Sequence, residues 1–291
     1  MSLEGPLLIA CNHPNSFLDA IILATLFDKP IYSLARGDSF KKGLVTKILY
    51  QLNILPVYRL SEGAENLNSN YDTFSKCREI FKQNGIVLIF SEGLCINEWK
   101  LRALKKGTAR LAFSSWEENI NLTILPTGIN YHSFRSFGKN VHINFGNSFN
   151  ATQFDEAASN GNNIKQFNEL LKDELMSLVT HINSNDHEII KNNFSTHHSG
   201  TKKAILFLPS VLGRIIHYPI YKPLQKLSWK IAGKSDHYDS ILVGLLFLTY
   251  PIFLAIIALC LFFLLGSWYW LLTFVLLPIF AWAAVQLKKE F

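Results

Sequence analysis

The chain has 291 residues, 49% of them hydrophobic, with a mean hydropathy of +0.16, a formal charge of +6 and an isoelectric point near 9.0. That length is ample for one large α/β domain or two small ones, and the basic balance suits a partner carrying phosphates, whether nucleic acid, an anionic membrane surface or a small phosphorylated substrate. Cys11, Cys77, Cys95 and Cys260 are scattered without a C-x-x-C pair, which argues against a disulfide framework or a zinc site, and no charged leader with an apolar run and cleavage site opens the chain, so the folded body is expected in a reducing cytoplasm.

Residues 7–11 form a short apolar run ending at Asn12-His13-Pro14. From Ser16 the spacing of Ile21, Ile22, Leu23 and Leu26 becomes helical, so the reading is strand, turn, helix. A second unit follows, with a strand at 31–35, the polar Arg36-Gly37-Asp38, a helix to about residue 50 and a short strand at 54–58. An amphipathic helix over 71–84 stops at Gly85, and the fully apolar run 86–90 is typical of a buried, largely parallel sheet. Lys105-Lys106-Gly107-Thr108 opens a helix through Phe113, and 122–125 and 141–145 read as further strands. The alternation predicts a layered α/β domain with a mostly parallel sheet over residues 1–150.

Residues 151–200 are rich in Asn and Ser and contain one amphipathic helix at roughly 164–182, with Phe167, Leu170, Leu171, Leu175, Leu178 and Val179 on one side, followed by a polar linker. His181, His187, His197 and His198 fall there without any ligand spacing, so no metal is expected. Residues 205–221 are apolar and aromatic but hold Arg214, His217 and two prolines, and 201–240 is read as an interfacial, membrane-associated segment. Two uncharged runs follow, 241–265 and 268–287, each long enough to cross about 30 Å of hydrocarbon. They predict a transmembrane helical hairpin over 241–287. Lys226, Lys230 and Lys234 before it and Lys288 and Lys289 after it place both flanks on the cytoplasmic side, with Trp268, Tyr269 and Trp270 at the opposite interface. Membrane lipids are therefore expected partners. Nucleic acid is not, because the basic residues are not interleaved with stacking aromatics. Nothing in the sequence speaks to oligomeric state.

Asn12-His13-Pro14-Asn15-Ser16-Phe17-Leu18-Asp19 places a histidine in the strand-to-helix turn and a carboxylate one turn into the helix, within reach of each other. Imidazole titrates near pH 6.5 and makes a useful general base. A carboxylate on its second nitrogen fixes the tautomer and stabilises the imidazolium. The same residues also fit a plain capping box, Ser-x-x-Asp, in which Asp19 caps the helix and His13 is a polar loop residue. Spacing alone leaves both readings open.

The Asn-His-x-x-x-x-Asp pattern resembles the first motif of the glycerophospholipid acyltransferase family, which includes the lysophosphatidic acid acyltransferases. Ile54-Leu55-Pro56-Val57-Tyr58-Arg59 resembles the second motif, which ends in an arginine used on the acceptor. Phe90-Ser91-Glu92-Gly93 resembles the third, Phe-Pro-Glu-Gly, and Ile124-Leu125-Pro126-Thr127-Gly128 the proline-containing fourth. Leu104-Lys105-Lys106-Gly107-Thr108 matches a stretch these enzymes often carry after the third motif. The likeness covers about residues 5–150. It implies that His13 is the catalytic base and Asp19 its partner, and that Asn12, Arg59, Glu92, Gly93 and Lys105 belong to the substrate site. The implied reaction moves a fatty acyl group from acyl-CoA or acyl-carrier protein to a hydroxyl of a lysophospholipid or glycerol phosphate, in phospholipid biosynthesis. The thioester is then a substrate, and no cofactor is implied.

The residue chemistry agrees with that resemblance. A hydroxyl is a poor nucleophile until a base takes its proton, and no Ser or Cys nucleophile motif points to an acyl-enzyme. Arg59 offers a fork for phosphate. Lys100, Arg102, Lys105 and Lys106 add charge, or form a solvated face near an anionic membrane. Two departures stand out. The family's third motif usually continues Thr-Arg where this chain has Leu94-Cys95, and Ser91 replaces the proline. The missing arginine leaves a lyso-aminolipid or another hydroxylated acceptor open, and a non-catalytic membrane scaffold of the same fold is the remaining alternative. Because the first motif stands so near the start of the chain, the N-terminal membrane-docking helix of some relatives is expected to be absent or to have been removed, with the C-terminal hairpin as anchor.

Overall fold

The computed structural model describes residues 5–40, 43–58, 68–155, 160–183, 186–194, 199–266 and 268–288. Strands β1 (Leu7–Cys11), β2 (Ile31–Arg36), β3 (Ile54–Val57), β4 (Ile86–Phe90), β5 (Thr123–Tyr131) and β6 (Val141–Phe145) form one sheet in the order β3-β2-β4-β1-β5-β6. β1 runs parallel to β4 and β5, and β2 runs parallel to β3 and β4. This is the mostly parallel α/β architecture expected from the alternating runs. Central parallel strands are covered on both faces, which is why β1 and β4 read as unbroken apolar runs and why every residue of β1 is buried.

The connections explain where the helices lie. β1 leads through α1 (Phe17–Ala24) to β2, and β2 through α2 (Gly43–Gln51) to β3, both travelling toward the β3 edge. α3 (Asn68–Lys82) and α4 (Gly107–Trp116) carry the chain back toward β5. Parallel crossovers are right-handed, so α1 and α2 cover one face of the sheet and α3 and α4 the other. Leu8, Ala10, Val87 and Ile89 share one core with Cys77 and Phe81 of α3 and with Leu111 and Ala112 of α4. Phe167, Leu171 and Leu175 of α5 (Asn160–Leu178) complete that core. A fully buried Leu or Phe of this kind contributes roughly 1.5–3 kcal/mol.

Several boundaries differ from the sequence reading, each for a visible reason. α5 ends at Leu178 and not near residue 182, because the Leu178 carbonyl accepts from the side-chain amides of Asn130 and Asn144, both at 2.9 Å. β5 runs on to Tyr131, well past the predicted end at residue 125, with eight of its nine residues buried. Pro126 does not end the strand, and its carbonyl accepts from Gly146 N–H at 2.9 Å. The stretch read as polar linker holds α6 (His187–Phe194), an Asn-rich helix whose Ile190 and Phe194 stand four apart and are both buried.

The chain divides into two compact units. One comprises Met1–Asn130 and Ile143–Asn183, so α5 belongs with the sheet; the other comprises Tyr131–His142 and Ser184–Phe291. The boundary read near residue 150 does not coincide with this division. The second unit contains α7 (Gly200–Ala232), α8 (Tyr238–Leu265), a short 3-10 stretch at Trp268–Leu272 and α9 (Thr273–Gln286). Three helical stretches, Gly200–Ala232, Tyr238–Leu265 and Trp268–Gln286, are long and apolar enough to cross a membrane by length and composition. The first spans the segment expected to be interfacial. It runs as one helix through Pro209, Pro219 and Pro223, each of which forgoes an intrahelical bond without ending it.

Within this unit α7 and α9 approach closely at Gly213, where any Cβ would collide with the Phe280 carbonyl oxygen. Residues 131–142 pack with the helices through a buried ion pair between Lys139 and Asp239. Arg135 donates to the Gly233 carbonyl and lies over the Trp229 ring at 5.2 Å, and Lys288 donates to the Phe137 carbonyl.

Candidate active site

The site begins at the carboxyl end of β1, where parallel sheets open toward ligands. Cys11 closes the strand and the next five residues make the turn into α1. The His13 ring is only 19% exposed and stacks on Phe90, the last residue of neighbouring β4, with centroids 3.9 Å apart and planes 12° from parallel. Its Nδ1 stands 2.8 Å from Oδ2 of Asp19, which is completely buried. With Nδ1 donating to this carboxylate, Nε2 is the ring nitrogen left with a lone pair.

Asp19 faces the histidine turn. Its Oδ2 also accepts from the Asn15 backbone N–H at 2.8 Å, and Ser16, the residue before the helix, makes no side-chain capping bond. The bland capping-box alternative therefore fails on geometry. Ser16 has φ of 56°, a left-handed conformation unusual for a serine, which costs roughly 1–3 kcal/mol and is held by its surroundings. Its N–H donates to Cys95 Sγ at 2.9 Å, and the Asn97 amide donates to the Pro14 carbonyl at 2.7 Å. The segment after the third motif thus clamps the histidine turn.

Glu92 is the second buried carboxylate, 4% exposed, and both its oxygens are engaged by backbone. Oε2 accepts from His13 N–H at 2.8 Å and Oε1 from Arg102 N–H at 2.7 Å. Burial pushes its carboxyl above the ordinary value, while those two N–H donors pull the other way. Gly93 follows at φ of 64°, where a side chain would be strained and its Cβ would stand 3.0 Å from Lys105 Cγ. Asn12 is buried, and its amide is paired twice with Ile129 of β5, donating to the carbonyl at 3.0 Å and accepting from the N–H at 2.8 Å.

The predicted site residues therefore divide by what they touch. His13 and Asp19 form a dyad; Glu92 holds the dyad's backbone; Gly93 makes the turn under Lys105; Asn12 ties β1 to β5. Lys105 is exposed, and its own N–H donates to the Ser91 carbonyl at 2.8 Å. Lys100 and Arg102 pair with Glu98, which accounts for part of the basic cluster without a ligand. Arg59 lies outside the described residues.

Sequence reasoning missed three contributors. Phe90 stacks on the base, and the one signal was its place at the end of an apolar strand. Ser91, read only as a replaced proline, accepts from Thr108 Oγ1 at 3.0 Å in a buried pair. Cys95, read as the loss of an arginine, receives the Ser16 N–H. Burial raises the thiols of Cys11, well above its ordinary value, and Cys77, to about 12, so neither supplies a thiolate nucleophile.

An imidazole held against a buried carboxylate in this way is chemically able to take up and return a proton at Nε2. Residues 1–130 match the Acyltransferase family model. No curated protein matches the chain. The matched residues include the dyad, Glu92 and the Cys95 clamp, and they end one residue short of the end of β5.

Proposed function

We propose that this acyltransferase domain moves a fatty acyl group from acyl-CoA or acyl-carrier protein to a hydroxyl of a lysophospholipid or glycerol phosphate, as a step of phospholipid biosynthesis, with His13 as general base. The observation that carries the reading is the 2.8 Å contact between His13 Nδ1 and the buried Asp19 carboxylate. Nε2 accepts the hydroxyl proton as the acceptor oxygen attacks the thioester carbonyl. The new C–O bond forms, the C–S bond breaks, and the imidazolium returns its proton to the departing thiolate. Asp19 stabilises the imidazolium in between. Glu92 acts as a positioning residue through the His13 backbone. Arg59 is the residue proposed for an acceptor phosphate, since it ends the second motif and guanidinium binds phosphate bidentately. The domain works at the cytoplasmic face of the membrane that holds the apolar helices.

A second reading has one observation in its favour. Cys95 stands where the resemblance leads one to expect a phosphate-binding arginine, and its sulfur accepts a backbone N–H. An acceptor without phosphate, such as a lyso-aminolipid, fits that replacement. The deciding experiment gives purified protein labelled acyl thioesters and matched acceptors with and without phosphate, and weighs the products. Acylated phosphorylated acceptor supports the first reading. Product from the phosphate-free partner alone supports the second, and no acyl transfer to any acceptor leaves a scaffold.

A further inference from the structure

The two faces of the sheet are covered by helices of different outer character. On one face, the exposed residues of α3 and α5 are mainly polar or charged, among them Asp72, Lys76, Glu79, Lys165, Glu169 and Lys172. On the other face the cover is thin, and its outer side is apolar. Phe17 and Ile21 of α1 are 40% and 41% exposed, and Leu26 follows at 36%. Ile48 of α2 and Leu52 just beyond it are 46% and 53% exposed. Phe17 and Ile21 stand four apart and Ile48 and Leu52 stand four apart, so each pair projects from a single helical side. The two helices contain only two charged residues, Asp19, which is buried against His13, and Lys47, which is exposed. A water-facing pair of helices normally carries its charges outward. This pair carries isoleucine, leucine, phenylalanine and one lysine.

We propose that the α1/α2 side of the acyltransferase domain is a membrane-docking surface that seats Phe17, Ile21, Leu26, Ile48 and Leu52 in the bilayer interface. A bilayer is the occupant because this same chain carries helices long and apolar enough to cross one. Lys47 supplies a cation at the level of anionic headgroups. The surface starts four residues after His13, so docking brings the base to the interface, where a lipid acceptor presents its headgroup. The docking surface stands on exposure and composition alone and does not depend on the acyl-transfer reading.

The test uses the full chain in liposomes of phosphatidylcholine and phosphatidylglycerol. Cys95→Ser and Cys260→Ser remove the accessible thiols, leaving Cys11 and Cys77 buried. Single cysteines at Ile21→Cys, Ile48→Cys and Leu52→Cys, with Glu79→Cys on α3 as control, are labelled with an environment-sensitive fluorophore. The proposal expects blue-shifted emission at positions 21, 48 and 52, loss of fluorescence to nitroxide-labelled lipid, and protection from iodide, with the reverse at position 79. Quenching of the three positions by iodide and not by lipid overturns it. So does protection from both quenchers, which would mean that protein, such as a second copy, covers the face. Three independent positions keep the test sound if one variant misfolds.

Discussion

At the scale of single residues, the site rests on two buried carboxylates with different tasks. Asp19 faces the imidazole and answers for its charge; Glu92 faces backbone and answers for its position. Asp19→Asn should therefore fold and yet lose turnover about 10²-fold or more, because an amide does not hold the proton on Nδ1 or stabilise the imidazolium. Equal loss of turnover and of thermal stability would argue for a structural role instead. Glu92→Gln behaves differently. A glutamine offers one acceptor oxygen where two N–H groups converge, which costs about 1–3 kcal/mol and lowers the melting temperature. The pH dependence has a definite sign. The folded Glu92 carboxyl is raised above 4.5, so its contribution is complete below that value and is lost as pH rises through the folded one. The gap in melting temperature between wild type and Glu92→Gln should be widest below about pH 4.5 and narrow toward neutrality. A gap that widens with rising pH would contradict the assignment.

At the scale of elements, two close approaches depend on the absence of a side chain. Gly93 turns the chain between Glu92 and the clamp that holds Ser16, and its left-handed φ disfavours any other residue by roughly 1–2 kcal/mol. Gly213 lets α7 and α9 meet. Gly213→Val should push them apart and lower the melting temperature of the C-terminal unit while leaving the dyad intact, which differential scanning of the purified chain with a parallel turnover assay resolves. Unchanged melting would mean that the contact carries little. Here the limits of the sequence become clear. The strand-turn-helix of β1 and α1 was legible, as was the His13 and Asp19 pairing, because both are local in sequence and driven by hydrophobic period. The work of Glu92 was not, since it lies 79 positions from His13 and only the adjacency of β1 and β4 in the sheet unites them. Asn12 and Ile129 are 117 apart and meet for the same reason across β5. α6 was hidden by its composition, with two buried apolar residues in an Asn-rich stretch.

At the scale of the whole molecule, the open question is how many helices cross. The uncharged runs of α8 and α9 read as a hairpin, whereas α7 carries Arg214, His217 and three prolines. If α7 lies at the interface, a reporter after Phe291 is expected on the same side as residues preceding Gly200, and the flanking lysines lead us to expect that side to be cytoplasmic. Protease protection in sealed vesicles checks this. A reporter protected from the cytoplasmic side would mean that α7 crosses as well. The polar face of α5 and the apolar outer side of α1 and α2 give the sheet unit a sidedness of its own.

The central claim is that His13 is the base of an acyl transfer. The most direct measurement is ester formation by the purified chain in liposomes, wild type against His13→Ala, followed by product mass with melting recorded in parallel. The account predicts at least a roughly 10²-fold fall in turnover with little change in melting, because the ring serves proton transfer more than packing. Near wild-type turnover in a folded His13→Ala protein would contradict it.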